Sequence, residues 1–301
     1  MGRGIQLEKI ISEIEMQNML GKDYESYKKQ LDYFSNNLNP PTHYYDEKED
    51  LKIKEEYYQK VRGYKCNGKK LFKLYRKLIT KSHINHVSYS ISKNQFLYNW
   101  VDLHPDGKLK NIYSGEIRDP ETVIQEDFMK HQNNQDYSLL DGENPNIVPF
   151  KFNAEHVVPQ SWYGAKEPMK GDLHQLFTCH PKCNTLRANF PYGDFPFYNP
   201  ELEEETIRNN CGIAKEEHFE PEYGKGAVAR ATLYFLLRYP NTIHKKRLSK
   251  ITIPLLIDWH ERFPVSLYEK HRNQAIYHIQ GNRNPFIDDE QLARRIFVNK
   301  N

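Results

Sequence analysis

The stretch from Gly226 to Tyr239, GAVARATLYFLLRY, most restricts what this chain can become. It reads as a strongly apolar helix, and Pro240 ends it because proline has no backbone N–H to carry the ladder on. Two further helices are expected over residues 251 to 263 and 266 to 280, with Pro264 between them. Another is expected from Gly68 to Lys81, where Leu71, Phe72, Tyr75, Leu78 and Ile79 share one face and the basic residues fall largely on the other. Residues 86 to 114 look strand-like: Val87, Tyr89 and Ile91 alternate, and Ile112-Tyr113 precede a Ser-Gly turn signal. Helices outnumber a few strands without regular alternation. That predicts an α+β fold, mainly helical with a small antiparallel sheet, and not a doubly wound one.

Upstream, Leu7, Ile10, Ile11, Ile14 and Met19 lie near helical spacing, and Tyr24, Tyr27, Leu31, Phe34 and Leu38 form a second helical pattern that stops before Pro40-Pro41. Residues 39 to 50 read as a polar linker. The chain therefore divides into a helical N-terminal extension, 1 to 60, and a main domain, 61 to 301. The Asn-, Gln- and Asp-rich stretch 130 to 148 and the stretch 191 to 221 read as loops.

Aromatics make up 13% of the chain, led by 21 Tyr, which suit core packing and base stacking alike. A net charge of +3 permits a polyanionic partner without requiring one. No apolar run approaches a membrane span. The first residues lack the unbroken apolar centre of a secretory signal, so the chain as it stands reads as cytoplasmic; a chain stripped of a leader would read the same, and would then be secreted.

The chemistry concentrates between Phe152 and Asn189, FNAEHVVPQSWYGAKEPMKGDLHQLFTCHPKCNTLRAN. Glu155 and Asn184 offer oxygen donors of the kind that magnesium or calcium prefers, and magnesium needs few protein ligands. His156 is the natural base, since imidazole titrates near neutral pH. Pro181 can open a short helix that sets Asn184 and Arg187 three apart on one face, where both can meet a phosphate. Strands are expected around Glu155-His156 and from His174 to Phe177, with Asp172 and His174 on one strand face. His174 can then be a metal ligand, oriented by Asp172. Glu155 and His156, being adjacent, can share a site only if the strand twists or ends there, and Pro159 makes an ending plausible. The cysteines Cys66, Cys179, Cys183 and Cys211 leave three readings open: buried apolar residues, one disulfide, or a small zinc site with His180 as fourth ligand.

At these residues the sequence resembles the endonuclease I family of nonspecific nucleases, in the His-Me finger (ββα-metal) group. The likeness rests on NAEHVVPQSW at 153 to 162, PMKGDLHQLF at 168 to 177, CNTLRAN at 183 to 189, GAVARATLYFLLRYP at 226 to 240 and PVSLYEKHRNQAIYHIQGNRNPFID at 264 to 288. The resemblance implies a ββα-metal finger holding one divalent metal, usually Mg²⁺ with Mn²⁺ or Ca²⁺ as substitutes, on Glu155 and Asn184. It implies His156 as general base, His174 as a further site histidine, and Arg187 or Arg230 steadying the phosphate. The implied partners are double- and single-stranded DNA and RNA, cut with little sequence preference to leave 5′-phosphate ends. Many members are secreted or periplasmic and disulfide-stabilised. Two alternatives stay open: a structure- or sequence-selective endonuclease targeted by the N-terminal helices, and a nucleic-acid-binding protein without catalysis.

Overall fold

A helix that is apolar on nearly every side is stable only when it is surrounded. The segment Lys225–Arg238 is accordingly the hub of the fold, with Val228, Ala229, Leu233, Tyr234, Phe235 and Leu237 fully shielded from solvent. The structure is a computed structural model in which residues 43–64, 66–120, 122–123, 152–198, 200 and 210–298 are described. The helices expected near 5–20 and 24–38, and the loop expected at 130–148, lie outside those residues.

In chain order the described elements are α1 (Glu47–Tyr58), α2 (Gly68–Ser82), a helical turn (Tyr89–Ile91) that widens into a π-helix (Ser92–Val101), β1 (Leu109–Lys110), β2 (Ile117–Arg118), β3 (Asn153–His156), α3 (Gln160–Tyr163), a 3₁₀ turn (Leu173–Gln175), β4 (Leu176–Cys179), α4 (Pro181–Arg187), β5 (Ile213–Lys215), β6 (His218–Glu220), α5 (Lys225–Arg238), a short helical turn (Lys245–Leu248), α6 (Ile253–Arg262), α7 (Leu267–Gln280), a second short helical turn (Pro285–Asp288) and α8 (Leu292–Phe297). The strands make small antiparallel ribbons, β1–β2, β3–β4 and β5–β6, so the mainly helical α+β class holds. Helices α2 and α6 pack on α5, and α8 closes over α2. Helix α7 starts with a capping box: Ser266 accepts from the Glu269 N–H while the Glu269 side chain returns to the Ser266 N–H. It ends at Gly281 with φ 85°. No helix among the described residues is long and apolar enough to cross a membrane.

Within 86–114, residues 89–101 are helical where the composition suggested a strand, and Leu109–Lys110 alone forms a strand. Ile91, Phe96 and Val101 recur every five residues and all are buried. That spacing suits i→i+5 bonding, as in Asp102 N–H to Leu97 O at 2.9 Å. Packing against β4 and α7 overrode the strand preference of its aromatic and β-branched residues. The hairpin β5–β6 lies within the region read as loop; its turn residues Glu216 and Glu217 have φ of 51° and 56°, a conformation usually signalled by Asn-Gly.

The linker expected at 39–50 ends inside α1, whose first turn contains Asp50 and is capped by Asp46 accepting from Glu49 N–H. Helix α1 is pinned to the body. Asp50 meets Arg283 at 2.8 Å, and the Tyr58 hydroxyl donates to Asp288 at 2.7 Å.

Candidate active site

Strands β3 and β4 pair with Glu155 opposite Phe177 and His156 opposite Leu176. Chain direction then reverses at His180, and Pro181 opens α4, so two antiparallel strands are followed directly by a helix. Helix α4 is fastened to β3 at two points. Asn184 Nδ2 donates to Asn153 Oδ1 at 3.1 Å, and Arg187 Nε stands 3.3 Å from Glu155 Oε1. Asn153 and Glu155 are two apart on the strand and so project from one face. Asn184 and Arg187, three apart on the helix, meet that face in the same order.

Glu155 is almost fully buried. Its Oε1 accepts from the Tyr113 hydroxyl at 2.6 Å, and Tyr113 in turn lies 3.0 Å from the Tyr192 hydroxyl. Burial raises the Glu155 pKa; the Arg187 charge and the Tyr113 hydrogen bond oppose that rise. Arg187 is itself buried. It donates to Val157 O at 2.5 Å and to Ala188 O at 3.1 Å, and lies over the Tyr192 ring. Burial opposes its charge, but Tyr113, Tyr192 and Glu155 together raise its pKa above the ordinary arginine value.

His156 ends β3 and is held separately. Its Nε2 is 2.9 Å from Lys170 O. A carbonyl only accepts, so Nε2 carries the proton and Nδ1 is left as the acceptor, met by Gln160 Nε2 at 3.2 Å. Tyr89 packs beside the ring, 5.0 Å between centroids. Burial lowers the His156 pKa to about 4, and the Lys170 and Arg187 charges reinforce this, so the ring is neutral at pH 7. Arg187 thus acts electrostatically on both Glu155 and His156.

The carbonyl that aims His156 is itself fixed. Glu167 accepts from Tyr89 N–H at 2.9 Å and from Gly171 N–H at 2.7 Å, and Ser92 Oγ donates to Gly171 O at 2.6 Å. A Cβ on Gly171 would lie 2.0 Å from Val87 O, so only glycine fits.

The structure brings Glu155, Asn184 and Arg187 together, with His156 next along the strand. It places His174 and Arg230 among other partners. His174 lies in the 3₁₀ turn, not on a strand, and Asp172 is the N-cap of that turn, accepting from His174 N–H at 3.1 Å. The ring of His174 faces Asn282 O at 3.3 Å and packs on Tyr234. The Asp172 carboxylate accepts instead from the hydroxyls of Tyr234 and Tyr239, each at 2.8 Å. Arg230 grips Glu269 with two bonds, at 2.6 and 2.8 Å, and donates to Phe263 O. Neither His174 nor Arg230 makes a hydrogen bond or ion pair to the Glu155 cluster.

Sequence reasoning missed Asn153, Gln160, Lys170 and Tyr113. The two-residue strand period relative to Glu155 could have indicated Asn153. Tyr113 reaches the site from 42 residues away and leaves no local signal. Of the three cysteine readings, one disulfide is correct: Cys183 of α4 is bonded to Cys211, just before β5, while Cys179 is a buried free thiol and Cys66 is free. A zinc site using both Cys183 and Cys211 is thereby ruled out.

The donor set suits a hard dication. Glu155 supplies a carboxylate whose Tyr113 hydrogen bond and Arg187 ion pair both fall on Oε1, and Asn184, with its amide nitrogen committed to Asn153, can offer Oδ1.

A family model described as Endonuclease I matches residues 68–291. Among curated proteins the chain is similar to an extracellular deoxyribonuclease of Aeromonas hydrophila, 32% identical over 124 residues, covering 40% of this chain and 50% of that protein. A periplasmic deoxyribonuclease of the same organism is also 32% identical over 124 residues, covering 40% and 49%. Endonuclease-1 of Buchnera aphidicola subsp. Acyrthosiphon pisum (strain APS) is 26% identical over 151 residues, covering 44% and 58%. The chain spans about half the length of the curated relatives it matches.

Proposed function

The chain belongs to the endonuclease I family, and on that premise we propose that it is a metal-dependent endonuclease that hydrolyses phosphodiester bonds of DNA, and of RNA, with little sequence preference, leaving 5′-phosphate ends. The observation that carries this reading is the His156 tautomer: Nε2 is tied to Lys170 O and a neutral Nδ1 is left to accept a proton. In this reading β3, β4 and α4 are the ββα-metal finger.

Glu155 and Asn184 would hold Mg²⁺, with Mn²⁺ or Ca²⁺ as substitutes. When bound, the dication would polarise a phosphate oxygen and offset the charge that gathers in the transition state. His156 Nδ1 takes the proton of the attacking water, and Gln160 orients that nitrogen until substrate arrives. Arg187 opposes the rise that burial imposes on the Glu155 pKa and adds positive potential beside the scissile phosphate. Arg230 and His174 act at a remove, Arg230 by fixing Glu269 and the start of α7, His174 by filling the space between Tyr234 and Asn282. Phosphate and metal contacts carry no base information, which accounts for low sequence preference. The Cys183–Cys211 bridge suits an oxidising compartment, so the secreted location is the one we favour.

The test is cleavage of supercoiled plasmid and of single-stranded RNA with magnesium, with EDTA as control, followed by ligation to detect 5′-phosphate ends. Cutting that persists in EDTA, or no cutting with magnesium, rejects the reading.

A further inference from the structure

The reaction centre engages one phosphate, yet a nonspecific nuclease must also hold the rest of the strand. The short turn after α5 has the charge for this. Lys245, Lys246, Arg247 and Lys250 place four cations in six residues, HKKRLSK from His244 onward, in a chain whose net charge is only +3. Lys245 and Lys246 are exposed and Arg247 is half-buried. Among the described residues none of these three forms an ion pair; Lys250 alone does, with Glu217 at 2.7 Å.

The turn is not a floppy basic loop. Its backbone closes on itself through Arg247 N–H to His244 O at 2.8 Å and Leu248 N–H to His244 O at 2.9 Å. Ile243 is buried in a cluster with Val158, Trp162 and Phe235. His244 N–H donates to Trp162 O at 3.0 Å. Trp162 belongs to α3, and the first residue of α3, Gln160, is the side chain that meets His156. The cationic turn and the reaction centre are therefore both tied to the same four-residue helix, the turn through the Trp162 carbonyl and His156 through the Gln160 side chain.

We propose that Lys245, Lys246 and Arg247 form a subsite for the sugar-phosphate backbone of the substrate, flanking the cleaved bond by a few nucleotides. The subsite deepens the nuclease reading and rests on it. It supplies affinity that is salt-dependent and blind to sequence, and it leaves the chemical step alone.

The experiment compares the full-length wild type with the triple variant Lys245→Gln, Lys246→Gln, Arg247→Gln. Binding of a fluorescent 20-base-pair duplex is measured in EDTA at several salt concentrations, and cleavage is measured with magnesium on the duplex and on a trinucleotide. The subsite predicts weaker duplex binding by the variant, a slope of log affinity against log salt reduced by about two to three, a raised KM on the duplex and an unchanged kcat on the trinucleotide. An unchanged salt slope, or an equal loss on the trinucleotide, overturns the subsite. Binding to anionic phospholipid vesicles is measured in parallel, and a loss in the variant confined to the vesicles also overturns the subsite and assigns the turn to a membrane surface. Wild type that binds the duplex but does not cut it sinks the nuclease reading; wild type that cuts while the variant keeps its salt slope sinks the subsite alone.

Discussion

The Arg187 guanidinium and the Glu155 carboxylate stand 3.3 Å apart, and both are almost wholly buried. Neither charge can be removed alone without stranding the other in a poorly solvated interior. Arg187→Met is expected to destabilise the protein by about 3–5 kcal/mol and to drive Glu155 toward its protonated form. Urea denaturation checks the first part. The double variant Arg187→Met, Glu155→Gln should recover part of the loss, and no recovery would mean that the pair is not coupled.

Removing the acceptor nitrogen should stop the chemistry and spare the rest. His156→Ala is expected to lower the cleavage rate by about 10²- to 10⁴-fold while duplex binding in EDTA stays near wild type. Wild-type cleavage rates in this variant would falsify the base assignment.

Asn153 touches no substrate in the proposed site, yet it orients Asn184 through the 3.1 Å bond. Asn153→Ala should raise the metal concentration needed for half-maximal cleavage by about tenfold, and Asn184→Ala by more. Calorimetric titration with Mn²⁺ reads metal affinity without activity. Equal affinities in the wild type and both variants would remove Asn184 from the ligand set.

Much of this could be read in the sequence, for identifiable reasons. Ser266 and Glu269 advertise the start of α7, and Pro181 the start of α4, because caps and prolines act within one turn. The Glu155, His156, Asn184 and Arg187 window stood out by density of chemistry-bearing side chains. What stayed hidden depends on partners distant in the chain. Tyr113 reaches Glu155, and Asn282 reaches His174 across 108 residues, through packing that no local pattern encodes. The π-helix was masked because Ile91, Phe96 and Val101 have a five-residue spacing outside the usual helical template. His174 was misplaced on a strand because Asp172 caps a turn there instead.

Stability should fall in acid through buried imidazoles away from the site. His104 stacks on Tyr268 at 4.0 Å, and burial lowers its pKa to about 3; His83 is lowered to about 4 by the same cause. An unfolded histidine titrates near 6.5, so between these values the unfolded chain binds protons that the folded one refuses. The contribution is intact above about pH 6.5 and is lost as pH falls toward the folded values. His104→Phe should flatten the acid limb of unfolding free energy against pH by up to about 1.4 kcal/mol per pH unit. Parallel limbs for variant and wild type would contradict this.

The Cys183–Cys211 bridge closes a 28-residue separation. Replacing both cysteines by serine, or adding dithiothreitol, should cost about 3–4 kcal/mol by the loop-entropy relation. The change is measured as a shift in the denaturant midpoint, and a midpoint insensitive to reductant would show that the bridge does not constrain the unfolded chain.

Gly171 gives the site an unusual dependency. Its missing Cβ lets the 170–172 backbone press against Val87 and Tyr89, and the carbonyl that aligns His156 belongs to the residue just before it. One added methyl group there has no room, so the loop must lift and take that carbonyl along. The imidazole would then be free to rotate or swap tautomers, and a buried glycine one residue past the aligning carbonyl would decide which nitrogen is left to accept.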